Sequence, residues 1–185
     1  MQMRTPSRGF TLVEILVVVV IIATVVSIAL LSINVAGDDT ELDQERRRIA
    51  SLIETIQDEA VLQGREFGVE IMTSSYRFVE FDPLTRQWSE VPGDDLYRLR
   101  RLPEGLEFEL YIDDRRIDLK NDPDRLADAE KRRSAGVDPY IPHLFVFASG
   151  ESTVFELHIV RPELDRRLIL RGDVLGQLEF GDEDA

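Results

Sequence analysis

The amino-terminal part of the chain carries one long apolar run. Residues Ile15 to Leu31 contain no charged side chain and only two hydroxyl residues. With Phe10 to Val13 and Ile33 added, roughly 20 apolar residues can cross a hydrocarbon layer of ~30 Å as one helix. The pattern therefore predicts a transmembrane helix over residues 10–33.

A second helical pattern, with polar faces, continues over residues 34–63. Apolar side chains recur at the spacing of one face of an amphipathic helix, which we expect to pack in a core rather than bind a partner. Charged residues, Arg46 among them, fill the other faces. Gly64 is the expected C-cap. The apolar face consists of Ile49, Leu52, Ile53, Ile56 and Ala60.

A break in this helix is left open at Gly37-Asp38-Asp39-Thr40. Glycine costs about 1 kcal/mol inside a helix, and Asp and Thr favour helix caps. The four residues could therefore kink the helix or interrupt it briefly.

From Arg65 onward, apolar and polar residues alternate with a period of two. Short strands separated by turn residues predict antiparallel sheet in two packed layers. The fold class is therefore α+β, with a long amino-terminal helix, half membrane and half amphipathic, packed on a β-rich globular domain over residues 64–185. The predicted strands cover residues 67–72, 76–81, 96–101, 106–112, 144–148, 154–160, 167–171 and 174–180.

The region of residues 113–142 breaks the alternation. It is charged and rich in proline, and a polar stretch of this length is either a functional loop or disordered. Within it, Asp124 to Ser134 could form a short surface helix.

Charge and composition exclude several functions. The 185 residues include 22 Lys and Arg against 36 Asp and Glu, a formal net charge of -14, which disfavours a nucleic-acid binder. There is no cysteine, so disulfides, thiolate catalysis and Cys-ligated zinc are excluded.

The charges that flank the apolar run predict its orientation. Arg4 and Arg8 precede the run, and no Lys or Arg follows until Arg46. The positive-inside rule places the amino terminus in the cytoplasm and the remainder outside it. A secretory signal peptide cut near Val35-x-Gly37 is the alternative, but the run exceeds the usual length of about 7–15 residues and contains Glu14.

Glu14 is a carboxylate at the start of a membrane helix. At the bilayer centre its charge would cost up to roughly 2.5–3.5 kcal/mol, and less near the interface. The dipole of the first helical turn favours it. From position alone, Glu14 either awaits a cation from a partner or reaches headgroup water.

The sequence Arg8-Gly9-Phe10-Thr11-Leu12-Val13-Glu14, followed by the apolar run, resembles the signal of type IV prepilins and type II secretion pseudopilins. The resemblance implies a leader of residues 1–9, which a prepilin peptidase removes by cutting after Gly9. It implies methylation of the new amino-terminal Phe10. It also implies that Glu14 pairs with the amino terminus of a neighbouring subunit during filament assembly.

A later stretch resembles the GspH/FimT family within that group. It comprises Phe147-Ala148-Ser149-Gly150-Glu151 and Phe155-Glu156-Leu157. The resemblance implies a minor pseudopilin in the tip of a type II secretion pseudopilus, where it supports export of folded proteins. It would be a single-pass protein of the bacterial inner membrane with a periplasmic domain. Its partners would be the major pseudopilin and other minor pseudopilins.

Two alternatives remain at this point. One is a FimT-like minor pilin of a type IV pilus or a DNA-uptake system, which genomic neighbours would distinguish. The other is a membrane-anchored periplasmic enzyme, for which the sequence offers no acid–base pair, nucleophile or metal cluster. We therefore expect no enzymatic activity, no cofactor and no metal.

The candidate chemical sites favour structural interpretations. His143 and His158 lack metal-ligand spacing. Ser149 to Thr153 contains G-x-S but has Val154 where a nucleophile elbow needs glycine, so a hairpin turn is expected. The acidic residues of the charged region lack the central glycine of an EF-hand, so a solvated loop is expected rather than a calcium site. These are Asp113, Asp114, Asp118, Asp122 and Asp124.

Overall fold

A computed structural model describes residues 12–91, 95–120 and 140–182, and it leaves out the side chains of residues 28–39 and 182. The chain divides into two compact units, Met1–Thr40 and Glu41–Ala185. Helix α1 comprises Leu12–Gln63. It is helical through residues 37–40, so the interruption left open there is absent.

In the second unit, α1 packs through the apolar face that the sequence predicted. All five predicted residues are buried, and none is more than 6% exposed. They form one core with the inner faces of two β-sheets, to which Phe67, Phe78, Leu110 and Leu157 contribute. The prediction that this face belongs to the core is confirmed.

The predicted C-cap at Gly64 is also confirmed. Gly64 has a φ of 67°, in the left-handed region that glycine adopts without steric cost. The Arg65 N–H donates to the carbonyl of Ala60 at 3.1 Å. This is the long hydrogen bond of a Schellman motif, which satisfies a carbonyl of the last helical turn.

Ten strands are present in the described part of the chain. They form two five-stranded antiparallel sheets, as the α+β prediction required. Sheet A has the order β3-β2-β1-β7, with β4 also paired to β2, and sheet B has the order β10-β9-β8-β5-β6. The bounds are β1 Phe67–Met72, β2 Ser75–Asp82, β3 Gln87–Glu90, β4 Arg100–Arg101, β5 Glu107–Ile112, β6 Arg115–Ile117, β7 Leu144–Val146, β8 Phe155–Arg161, β9 Arg166–Gly172 and β10 Leu178–Asp182, with a 3-10 turn at Pro162–Leu164.

Three predicted strands are shorter than expected, and the one over residues 144–148 ends at Val146 as β7. Of the strand predicted over residues 96–101, only Arg100 and Arg101 pair in a sheet, opposite β2. The strand predicted over residues 174–180 begins at Leu178. There the Asp173 carboxylate accepts the N–H groups of Leu175 and Gln177, which holds the preceding residues in a turn.

The charged region predicted as a loop contains a strand at its start. Asp113 and Asp114 have φ values of 51° and 58° and connect β5 to β6. Positive φ at both residues is the geometry of a two-residue type I′ hairpin, which Asp tolerates. The loop prediction over residues 113–142 is therefore wrong for β6, and the helix predicted over residues 124–134 lies outside the described residues.

Arg46 is a further correction, because it was expected on a polar face and is only 8% exposed. Its Nη1 donates to the carbonyl of Gly181 in β10 at 3.0 Å. Its guanidinium also lies 5.0 Å from the centre of the Phe180 ring. A long side chain can cover apolar surface while its charged head finds polar partners, which periodicity alone does not reveal.

Glu45 and Asp43 lie on the same helix in opposite electrostatic environments. Burial raises the pKa of Glu45 above its ordinary value, although Arg48 donates to its carboxylate at 2.6 Å. Hydrogen bonds from Arg47 and Arg46 lower the pKa of Asp43. Burial, with the charge of Glu45 as a secondary cause, raises the pKa of Tyr76 to about 12.

We expect Glu45→Gln and Asp43→Asn to change stability with opposite dependence on pH. Because the pKa of Glu45 is raised in the folded state, protonation of its carboxyl stabilises the fold. This contribution is complete below pH 4.5 and is lost as pH rises through the folded pKa. Glu45→Gln should therefore gain stability relative to wild type as pH rises from 4 to 7.

Asp43→Asn serves as the matched control. The lowered pKa of Asp43 means that its contribution is present above pH 3.8 and is lost as pH falls through the folded pKa. The variant should therefore be less stable than wild type at pH 7, and the difference should shrink below pH 3.8. Thermal unfolding of the full chain in one detergent from pH 3 to 8 tests both variants, and a pH-independent difference for Glu45→Gln would refute the assignment.

Candidate functional site

The amino-terminal part of α1 is apolar on every side. Each described side chain from Leu12 to Ser27 is exposed, and most are aliphatic. Leu12 is 82% exposed and Leu16 is 57% exposed. Contiguous apolar surface of this kind is rare on soluble monomers and marks a surface that contacts other proteins or a membrane.

The two hydroxyl residues of this segment make their hydrogen bonds within the helix. Thr24 Oγ1 donates to the carbonyls of Val20 and Ile21, each at 2.8 Å. Ser27 Oγ donates to the carbonyl of Ala23 at 2.8 Å. Both hydroxyls are therefore satisfied without water, which suits a helix that lies among apolar groups.

Glu14 lies in the first turn of α1 and is exposed. The unsatisfied N–H groups of a first helical turn form the positive end of the helix dipole, which favours a carboxylate at this point. The structure thus places the predicted assembly residue at the amino-terminal end of the apolar helix.

The other predicted processing residues cannot be placed. Gly9 and Phe10 lie outside the described residues, as do parts of the predicted span of residues 10–33. Cleavage after Gly9 and methylation of Phe10 stay predictions.

Within the part of the chain whose side chains are described, no helix combines the length and apolar content that a membrane crossing requires.

The two histidines are held in separate structural contacts. His143 Nδ1 accepts the N–H of Ile71 at 3.2 Å, beside sheet A. On sheet B, His158 is 7% exposed, its Nε2 lies 2.5 Å from Glu156 Oε1, and its ring packs on Tyr111 at 4.8 Å. His158 and Arg171 lower the pKa of Glu156 through hydrogen bonds, so its carboxylate is stabilised as an ion.

A cleft of about 550 Å³ lies on sheet B, between the β5–β6 turn and the β9–β10 turn. Its acidic residues include Glu156, which is hydrogen-bonded to Arg171 at 2.6 Å. Another is Asp173, whose carboxylate holds the β9–β10 turn. These carboxylates have structural roles, and the described residues contain no group of three or more potential ligands placed to hold a metal.

The G-x-S stretch forms a turn, as predicted, but it connects β7 of sheet A to β8 of sheet B rather than two strands of one hairpin. The N–H of Phe147 donates to the carbonyl of Glu151 at 2.9 Å, and Gly150 has a φ of 90°. Ser149 Oγ lies 3.3 Å from a Glu151 carboxylate oxygen. No histidine contacts this serine among the described interactions, so the turn lacks the geometry of a catalytic nucleophile.

A buried ion pair on sheet A was not predicted. Glu70 and Arg77 are paired across β1 and β2, and their side chains are 0% and 5% exposed. Arg77 Nε donates to Glu70 Oε2 at 2.8 Å. Both residues alternate with core residues along their strands, and the ring of the distant Tyr140 lies 4.5 Å from the Arg77 guanidinium.

Comparison of the sequence with protein families finds a prokaryotic N-terminal methylation motif over residues 4–30. The chain is 36% identical over 169 residues to a type II secretion system protein H of Pseudomonas aeruginosa, covering 90% of this chain and 91% of that protein. It is 31% identical to the protein of the same name from Vibrio cholerae, covering 84% and 83% of the two chains.

Two solved structures share the fold. The minor pseudopilin EpsH from the type 2 secretion system of Vibrio cholerae matches with a TM-score of 0.57 and 22% identity, over 78% of this chain and 99% of that one. The solution structure of Escherichia coli GspH matches with a TM-score of 0.54 and 19% identity, over 77% and 89%. At these identities the likeness establishes the fold.

Proposed function

The chain belongs to the type II secretion system protein H family of minor pseudopilins, and we propose that it joins the tip of the pseudopilus through its apolar helix and Glu14. The relatives are named for secretion, which favours the secretion pseudopilus over the alternative of a type IV pilus or DNA-uptake pilin. The relatives are a secretion system protein and a minor pseudopilin, which favours a structural subunit over an enzyme.

The single observation that carries the proposal is the helix of residues 12–27. It is exposed on every side, has its hydroxyls satisfied internally and begins with Glu14 in its first turn. The methylation motif covers the same stretch. A helix of this kind requires apolar surroundings, which a bilayer and a bundle of neighbouring helices both provide.

We propose that the chain is organised into four consecutive segments. Residues 1–9 form a leader, residues 10–33 cross the inner membrane, residues 34–63 form the amphipathic stalk, and residues 64–185 form the periplasmic domain. The arginines before the apolar run keep the amino terminus in the cytoplasm. The filament would carry folded proteins toward the outer membrane.

Glu14 would act through charge. Cleavage after Gly9 gives Phe10 a positively charged amine, one helical turn before Glu14. Charges that lose water in a helix bundle are far less costly beside an opposite charge. The amine of one subunit would therefore meet Glu14 of its neighbour and set the axial offset between them.

Processing of the amino terminus tests this proposal. We expect mass spectrometry of the protein from host membranes to find a mature chain that begins with N-methylated Phe10. The control is a host without its prepilin peptidase, where the chain should keep residues 1–9. A mature chain beginning at Asp38 would establish an ordinary signal peptide and refute the proposal.

A further inference from the structure

Four aromatic side chains line up on the outer face of sheet A. The centres of the Phe81 and Trp88 rings are 5.2 Å apart, and Trp88 lies 5.7 Å from Phe145. Phe145 in turn stacks on Phe147 at 6.5 Å. The set, here called the aromatic strip, crosses the sheet from β3 to the end of β7. Paired registers place Phe81 beside Trp88, and Phe145 beside Gly68 of β1.

Gly68 allows the strip to be continuous. A Cβ at this position would lie 3.1 Å from Trp88 Cζ3 and 2.5 Å from Pro142 Cβ. The missing side chain thus leaves room for the indole to reach across the sheet and touch Phe145. The glycine costs strand stability, which indicates a close-packing requirement at this position.

The strip continues onto the last turns of α1. A Cβ added at Gly150, in the turn after Phe147, would lie 3.6 Å from Val61 Cγ2. Phe147 is 40% exposed, Val61 is 54% exposed and the neighbouring Leu62 is 83% exposed. The end of α1 and the turn after β7 therefore lie side by side, and each exposes apolar side chains, the kind of patch that marks a protein contact.

Three exposed acidic residues adjoin this surface. Asp58 precedes Val61 and Leu62 by one helical turn, and the backbone of Glu66 accepts the N–H of Phe81 at 2.9 Å. Glu151 closes the turn that contains Phe147. All three side chains are at least partly exposed carboxylates. Arg65, the nearby cation, already pairs with Glu80.

We propose that the aromatic strip, with Val61 and Leu62, binds another subunit of the same filament through an apolar projection flanked by Lys or Arg. The inference rests on the proposed function, because it assumes that the chain enters a filament. A second copy of this chain fits poorly, since two acidic rims would face each other and like charges across an interface repel.

The absence of cysteine makes a direct test simple. Phe147→Cys creates a single thiol in a sequence without cysteine, and Leu164→Cys creates a matched thiol in the 3-10 turn between β8 and β9, where Leu164 is 39% exposed. Each variant is expressed in the secreting host, and a short thiol-to-amine crosslinker then captures lysines within reach. We expect Phe147→Cys to crosslink to another pseudopilin identified by mass spectrometry, and Leu164→Cys to give at least tenfold less of that product.

A charge variant provides the second measurement. Val61→Glu with Phe147→Glu should lower co-purification with the other filament subunits at least tenfold, because it adds negative charge to the contact. Leu164→Glu, at a residue 39% exposed, is the control and should co-purify at wild-type level. Unchanged amino-terminal processing and protease resistance would show that the double variant folds.

The crosslinking and co-purification experiments give different results if the docking surface is wrong and if the filament role is wrong. A Phe147→Cys product with a second copy of the chain would overturn the assignment of the partner. Equal products from both cysteine variants, or normal co-purification of the double variant, would overturn the docking surface while the filament role stands. If the wild-type chain associates with no filament subunit, the proposed function itself fails.

Discussion

Replacing Arg77 with methionine should lower the free energy of unfolding by roughly 3–5 kcal/mol, because it leaves the Glu70 charge buried without its main cation. The two side chains are 5% and 0% exposed, and Arg77 Nη2 lies 2.7 Å from Glu70 Oε2. Arg77 also lies under the Tyr140 ring, whose hydroxyl donates to Glu90 at 3.1 Å. The change therefore removes an ion pair and a cation–π contact from one closed site.

The double variant Glu70→Gln with Arg77→Met should recover most of the loss, since a neutral amide is much less costly to bury than an unpaired carboxylate. Arg47→Met is the control for loss of an arginine. Arg47 pairs with Asp43 at 2.7 Å but is 70% exposed, so its loss should cost no more than about 1 kcal/mol. The measurement is chemical unfolding of each full-length chain in the same detergent.

An Arg77→Met variant as stable as Arg47→Met would show that the pair contributes nothing beyond a surface contact. A double variant no more stable than Arg77→Met would place the loss in the packing of the guanidinium under Tyr140 instead. With Glu70→Gln alone as the second single variant, the double-mutant cycle separates the charge from the shape of Arg77.

Glu14→Leu should reduce recruitment into the filament at least tenfold while membrane insertion persists. Leucine suits an apolar environment better than a carboxylate, so the helix itself loses nothing on insertion. Under the proposed function, the variant loses the partner for the amine of a neighbouring subunit. Cleavage should be largely spared, because the resemblance to prepilins assigns the peptidase signal to Gly9 rather than to Glu14.

The measurement is co-purification with the other filament subunits, together with a secretion assay in the host. Thr24→Leu is the matched control, because it removes another polar group from the same helix. The Thr24 hydroxyl is satisfied by the helix backbone at 2.8 Å, so its loss should leave recruitment intact. Wild-type assembly and secretion by Glu14→Leu would instead support an interfacial carboxylate that reaches headgroup water.

A position at the filament tip would make recruitment less dependent on Glu14. A tip subunit could enter the filament through contacts of its globular domain and so need Glu14 less than a shaft subunit would. Combining Glu14→Leu with the Val61→Glu and Phe147→Glu changes separates these routes. Additive losses would mean that both surfaces bind independently.

Features set by neighbours along the chain were determined by the sequence alone. The helical face of Ile49, Ile53 and Ile56 follows from a period of 3.6, and the Schellman end at Gly64 follows from the conformational freedom of glycine. The α+β class followed from the change of period near Arg65. The motif around Glu14 is equally local, which is why its position in the first turn of α1 could be predicted.

Strand ends were predicted less well, because alternation does not show which backbone groups find a partner. Leu96 and Tyr97 alternate like strand residues, yet the Arg100 guanidinium donates to the Leu96 carbonyl at 3.1 Å, and the Tyr97 ring packs against Phe78 at 5.5 Å in the core. The residues before β10 alternate too, but the Asp173 carboxylate captures their N–H groups in a turn. A side chain that competes for backbone hydrogen bonds decides such cases.

Only the tertiary structure decided which polar residues are buried. Glu70 and Arg77 alternate with core residues, a pattern typical of solvent-facing positions. The ring of Tyr140, more than 60 positions along the chain, lies against Arg77. The strip from Phe81 to Phe147 likewise joins strands β2, β3 and β7, and it requires the space above Gly68. Burial depends on what a distant segment brings to a surface, and a local period carries no information about that segment.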